Sequence, residues 1–196
     1  MFNQQEAPKE SFQDVRTGIG WVTFISRIGA VTVEVFLHSR FGERYIGMEA
    51  AAALVLIPVF GLFWPDSDLL PLMQFLGVYL FMCLLARIGM TARRLRGDRE
   101  HSRYTGFPHL LRLFRLLPEE AVKRFVEPFF VMCAGVVSYD FNEPLGGYLM
   151  FAAVCLFIST NLDDMWTRTR ALDISDAVME QQVTAQRFRE MQNKRW

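Results

Sequence analysis

Apolar residues in this chain gather into long runs, without the strict alternation of strands or the short stripes of a small soluble helical domain. A bilayer-crossing helix needs about 20 mostly apolar residues, and not many fewer than about 17. Four segments approach that length: 46–64, interrupted by Glu49 and Pro58, then 69–90, 125–141 and 145–162. The linkers at 65–68 and 142–143 are so short that each must turn the chain back on itself. The pattern therefore predicts an all-α membrane protein whose four transmembrane helices form two antiparallel hairpins, 46–90 and 125–162.

The distribution of Lys and Arg gives these hairpins a direction. Neither tight turn contains a basic residue. Five lie before the first span (Lys9, Arg16, Arg27, Arg40 and Arg44), nine between 91 and 124, and six in the tail after 162, with Arg87 near the inner end of the second span. All 21 thus fall on one side of a four-helix arrangement. By the positive-inside rule that side is cytoplasmic, and both termini lie there.

Within the segment 19–45, the run 19–37 is apolar enough to resemble a further span, but Arg27 sits at its centre and Glu34 near its end. A central Arg costs roughly 2.5–3.5 kcal/mol on insertion. Thr23, Arg27, Glu34 and His38 fall near one helical face, which predicts an amphipathic helix lying in the membrane interface behind a polar 1–18 segment. If 19–37 crossed the bilayer instead, the N-terminus would move to the outer side.

The 91–124 loop is basic and partly helical in expectation. Pro108 can open a helix to Leu117 with His109, Arg112 and Arg115 on its polar side, and Pro118-Glu119-Glu120 can open another. Pro128 removes a backbone donor and should disturb the third span near Arg124. Arg93, Arg94, Arg96, Arg112 and Arg115 are the candidate contacts for anionic membrane lipids.

The 163–196 tail reads as a cytoplasmic helix. Ala171, Ile174, Val178, Gln181, Ala185 and Phe188 recur at the 3-4 spacing of a short heptad seam, suited to a protein partner, to self-association, or to packing on the membrane domain. Between the two hairpins there is a faint echo, Leu76-Gly77-Val78-Tyr79-Leu80 against Leu145-Gly146-Gly147-Tyr148-Leu149, that common residue types account for.

Composition changes this picture little. Charge balances at 21 basic and 21 acidic residues, so nothing points to nucleic acid. Eighteen Phe and ten Met suit lipid-facing and helix-packing surface. Cys83, Cys133 and Cys155 lie inside apolar runs, as reduced packing residues rather than a disulfide framework. The 1–14 stretch is polar and has no secretory-signal core.

Candidate chemistry is sparse. Glu49, Arg87 and Glu127 are the ionisable residues within the spans, each within about one turn of the inner interface, and are expected to pair as a structural cluster that ties the hairpins together. Asp66, Asp68, Asp140 and Glu143 occupy the outer turns in turn-forming roles. Glu119-Glu120-Ala121-Val122-Lys123-Arg124 has the EExxxR spacing of intramembrane CAAX-type proteases, but those enzymes need histidines on later helices and none follows His109. His38, His101 and His109 have no metal-ligand spacing, and 101–106 reads as a solvated juxtamembrane loop. We expect no catalytic residue, cofactor or metal. The expected function is an integral subunit or anchor in a plasma or inner membrane that docks a cytoplasmic partner. An oligomeric channel or transporter lined by Glu49, Gln74, Tyr79, Glu127 and Asn161 is the competing class, and an intramembrane enzyme is the least supported.

Overall fold

The computed structural model describes residues 9–39, 41, 47–96, 107–112 and 118–193. Nearly all of them are helical. The elements are α1 (Lys9–Leu37), β1 (His38–Ser39), α2 (Met48–Gly61), α3 (Leu70–Arg96), β2 (Phe107–Pro108), a 3-10 turn (His109–Arg112), α4 (Glu119–Ala121), a π-turn (Val122–Val126), α5 (Glu127–Tyr139) and α6 (Glu143–Asn193). Two compact units result, residues 1–160 and 161–196.

Three helices are long and apolar enough to cross a membrane: Gly18–Leu37, Leu70–Arg96 and Glu143–Met191. The four expected spans therefore map unevenly onto the fold. α3 and the first part of α6 match the second and fourth. α2 has 14 residues and α5 has 13, about 20 Å each at 1.5 Å per residue, short of a hydrocarbon core of about 30 Å. The physical reason is local. Pro65 disfavours helical geometry at Trp64, so α2 closes with tight i→i+3 bonds such as Trp64 N–H to Gly61 O, 3.1 Å. At the other site, Pro128 breaks the helical register.

That break takes a definite form. Pro128 has no N–H for the Arg124 carbonyl, and the helix widens into a π-turn over Val122–Val126 before resuming as α5. Such π-turns often sit at functional positions.

The α1 helix departs furthest from expectation. A surface-lying helix would keep its polar face in the headgroups. Instead Ile28, Ala30, Val31, Thr32, Val33, Glu34, Val35 and Leu37 are all buried, with Phe36 half-buried among them. The packing is close: a Cβ on Gly29 would meet Cys155 at 2.7 Å, and Phe36 stacks near Phe75 of α3 with ring centroids 5.5 Å apart. Residues 18–25 are exposed except Thr23, which is half-buried, and they present Ile19, Trp21, Val22, Phe24 and Ile25.

The α2–α3 and α5–α6 turns meet each other. Asp68 Oδ1 accepts the Leu70 N–H at 2.9 Å, and Asn142 Oδ1 accepts the Leu145 N–H at 3.0 Å, each capping the helix that follows. Asn142 Nδ2 donates to the Asp68 carbonyl at 2.8 Å. α5 and α6 approach so closely that a Cβ on Gly146 would collide with the Tyr139 backbone, the small-residue contact of membrane helix pairs. In the faint echo, Tyr79 and Tyr148 are both fully buried, but Gly77 faces open space where Gly146 is jammed.

Many large apolar side chains are exposed on the first unit, among them Phe81, Leu84 and Ile88 of α3 and Phe129, Phe130 and Val137 of α5. An apolar surface of this extent is compatible with a membrane location.

Candidate functional site

The best-defined polar feature lies where α1 ends and α5 begins. His38 Nε2 and Glu127 Oε2 are 2.8 Å apart, with side chains 2% and 0% exposed. They come from positions 89 residues apart in the chain, so only the fold brings them together.

The chain around them explains their placement. α1 stops at Leu37, whose carbonyl, an orphan of the helix end, accepts the His109 Nδ1–H at 2.7 Å. His38 then pairs with Pro108, and Ser39 with Phe107, in a two-residue antiparallel bridge. This clamp fixes His38 against the π-turn. Glu127 is the first residue of α5, carried inward by that turn. Glu34, one turn earlier on α1, is also buried, and the Phe41 ring lies 6.3 Å from the His38 ring. Arg124 lies one turn before Glu127, its guanidinium 5.4 Å over the Phe125 ring.

The 2.8 Å contact needs one proton on the line between the two atoms. Either imidazole N–H donates to a carboxylate, or a carboxyl O–H donates to imidazole. The outer atoms, His38 Nδ1 and Glu127 Oε1, are buried and without partners among the described residues. Such a pair can hold a proton or hand one over, and in a dry setting it resists separation because an unpaired buried charge is expensive. Among the described residues no three His, Cys, Asp or Glu side chains gather as metal ligands.

Of Glu49, Arg87 and Glu127, expected to form one cluster, the two acids each have a partner on the α1 side. Glu127 turns to His38. Glu49 lies 3.8 Å from Arg27, both half-exposed, and Arg87 lines a groove between α2 and α3. The expected pairing placed α1 on the bundle surface. With α1 inside, its own Arg27 and His38 reach the two acids first. His38 is the residue sequence reasoning missed. Its signal was its place one turn after Glu34, on a helix whose polar face was expected outside.

Of the candidate lipid contacts, Arg93, Arg94 and Arg96 lie in the last turns of α3. Arg93 Nη2 donates to the Phe41 carbonyl at 3.3 Å, so this side chain also braces the segment after β1. Arg112 closes the 3-10 turn, but its side chain, like all of Arg115, lies outside the described residues, as do 1–8, most of 40–46, 97–106, 113–117 and 194–196. Of the alternative pore-lining set, Gln74 is exposed, and the Tyr79 hydroxyl donates to the Ala50 carbonyl at 3.1 Å.

The second unit is a different kind of surface. From 165 to 191 every side chain is exposed, including Met165, Leu172, Ile174, Val178, Met179, Val183, Phe188 and Met191. The seam positions Ala171, Gln181 and Ala185 are equally open. Local bonds stabilise the helix itself: Arg168 pairs with Asp164 four residues earlier at 3.5 Å, and Thr167 donates to the Asp163 carbonyl at 2.8 Å. The chain matches no known protein family, no curated protein and no solved structure.

Proposed function

We propose that this protein is a non-catalytic integral membrane anchor that docks a cytoplasmic partner through its C-terminal helix, assisted by the basic 91–124 loop. The observation that carries the reading is the exposure of residues 165–191, with nine large apolar side chains among them. A long helix with uncovered apolar positions is stable on its own only marginally, and binding is what such a surface serves. In this reading the two helix pairs hold the chain in a plasma or inner membrane, and the excess of Lys and Arg on one side sets both termini in the cytoplasm. The burial of α1 makes one topological test decisive: a tag at Met1 should be accessible from the cytoplasmic side, and an external tag would mean that α1 crosses the bilayer.

Purification of the full chain in mild detergent tests the function. A non-identical protein should co-purify in fixed stoichiometry, and Ile174→Glu with Val178→Glu should release it while the chain stays in the membrane. A second reading, a small oligomeric channel or transporter, draws on the buried His38–Glu127 pair beside a π-turn. A homo-oligomer that moves ions or protons in liposomes, and loses that flux with Glu127→Gln, would replace the anchor reading.

A further inference from the structure

α2 and α3 leave an open groove of about 200 Å³ between them. Ala50, Ala51 and Leu54 form one wall, and Leu80, Leu84 and Arg87 the other. The volume is below the roughly 300–1,000 Å³ of pockets that enclose small-molecule ligands. It suits a single chain laid along an open channel. The polar atom in its floor, the Tyr79 hydroxyl, already donates to the Ala50 carbonyl, so the walls ask no hydrogen bond of an occupant.

One end of the groove differs. Arg87 stands there, together with Gly47 at the start of α2, where no side chain caps the helix. The first N–H groups of α2 and the positive end of its dipole therefore meet the guanidinium at one place. The nearby Glu49 carboxylate is drawn to Arg27, which limits its opposition to an anion. Further along α3, the last turns add Arg93, Arg94 and Arg96.

We propose that this groove is a binding site for one anionic phospholipid, with the phosphate at Arg87 and the α2 N-terminus and an acyl chain along Leu54, Leu80 and Leu84. An apolar length with one positive end complements an anionic amphiphile, and the exposure of Leu80 and Leu84 opens it sideways to lipid. Basic pockets between membrane helices hold anionic headgroups in this way. The site rests on the membrane reading of the chain.

The test is native mass spectrometry of the full chain, extracted from membranes containing equal phosphatidylglycerol and phosphatidylcholine. The wild type should retain one phosphatidylglycerol in preference. Arg87→Gln should reduce that preference about fivefold, the size of one basic contact to an anionic headgroup. Arg87→Lys should keep it, Leu84→Trp should fill the groove and expel the lipid, and Arg170→Gln, on the exposed tail, should match the wild type. The proposal is overturned if Arg87→Gln keeps the preference, if Leu84→Trp keeps the lipid, or if Arg170→Gln does as much damage as Arg87→Gln. Arg87→Lys and Leu84→Trp decide the matter even where Arg87→Gln folds poorly. Release of the chain by alkaline carbonate would defeat the membrane reading itself; a chain that resists the wash but fails the lipid test defeats only the site.

Discussion

Two helical stretches of this chain reverse what their composition leads one to expect. The C-terminal half of α1 carries Glu34 and leads into His38, yet nearly all of it from Ile28 onward is buried. The 165–191 stretch of α6 carries apolar residues at many turns, yet nothing in its unit covers them. Local hydropathy reports what a segment is made of, whereas burial depends on what packs against it. For α1 the packing partners are α2, α3 and the first part of α6, whose small residues admit it: Ala50, Ala53, Ala152 and Ala153 are all buried. The tail meets no such surface within its own unit.

The largest effect should come from breaking the polar pair that anchors the end of α1. Glu127→Leu leaves His38 buried without its partner and should destabilise the protein by about 3–5 kcal/mol. Adding His38→Leu should recover most of that loss, since an apolar pair of similar volume is often neutral in place of a buried ionic one. Thermal unfolding of the wild type and the two variants in detergent measures both effects, and a double variant as weak as the single one would show that the pair is not the coupled unit described.

Next in size is Gly29→Leu, which drives a side chain into Cys155 and should cost about 1–3 kcal/mol by overpacking. Gly20→Leu on the same helix meets open space and should raise helix stability by up to about 1 kcal/mol. Equal outcomes at the two glycines would contradict the contrast between the halves of α1. Arg27→Ala breaks a 3.8 Å half-exposed pair with Glu49 and should change stability by under about 1 kcal/mol. Smallest of all, Ile174→Gln with Val178→Gln should leave unfolding within about 0.5 kcal/mol of wild type while weakening partner binding.

Much of the helical content could be read from apolar run lengths: α3, the helix from 143 and the tail helix fall where the pattern puts them. Pro128 announced its own disturbance, because a missing donor has a fixed address four residues earlier. The position of α1 could not be read in the same way. Insertion cost treats His38 as exposed to lipid, whereas the distant Glu127 supplies the partner that makes its burial tolerable. The same long-range pairing hid the site. Glu127 was visible as an acid near a span, but its partner sat 89 residues away on a segment assigned to the surface.

The central claim is that the tail is a docking surface, open in the isolated chain and covered in the cell membrane. A cysteine placed by Val178→Cys, with the three native cysteines replaced by alanine, can be labelled with a water-soluble maleimide in both settings. The account predicts rapid labelling in the purified chain and strong protection in native membranes. Protection already present in the purified chain would mean that the tail packs on its own protein, and equally fast labelling in both would leave it without a partner.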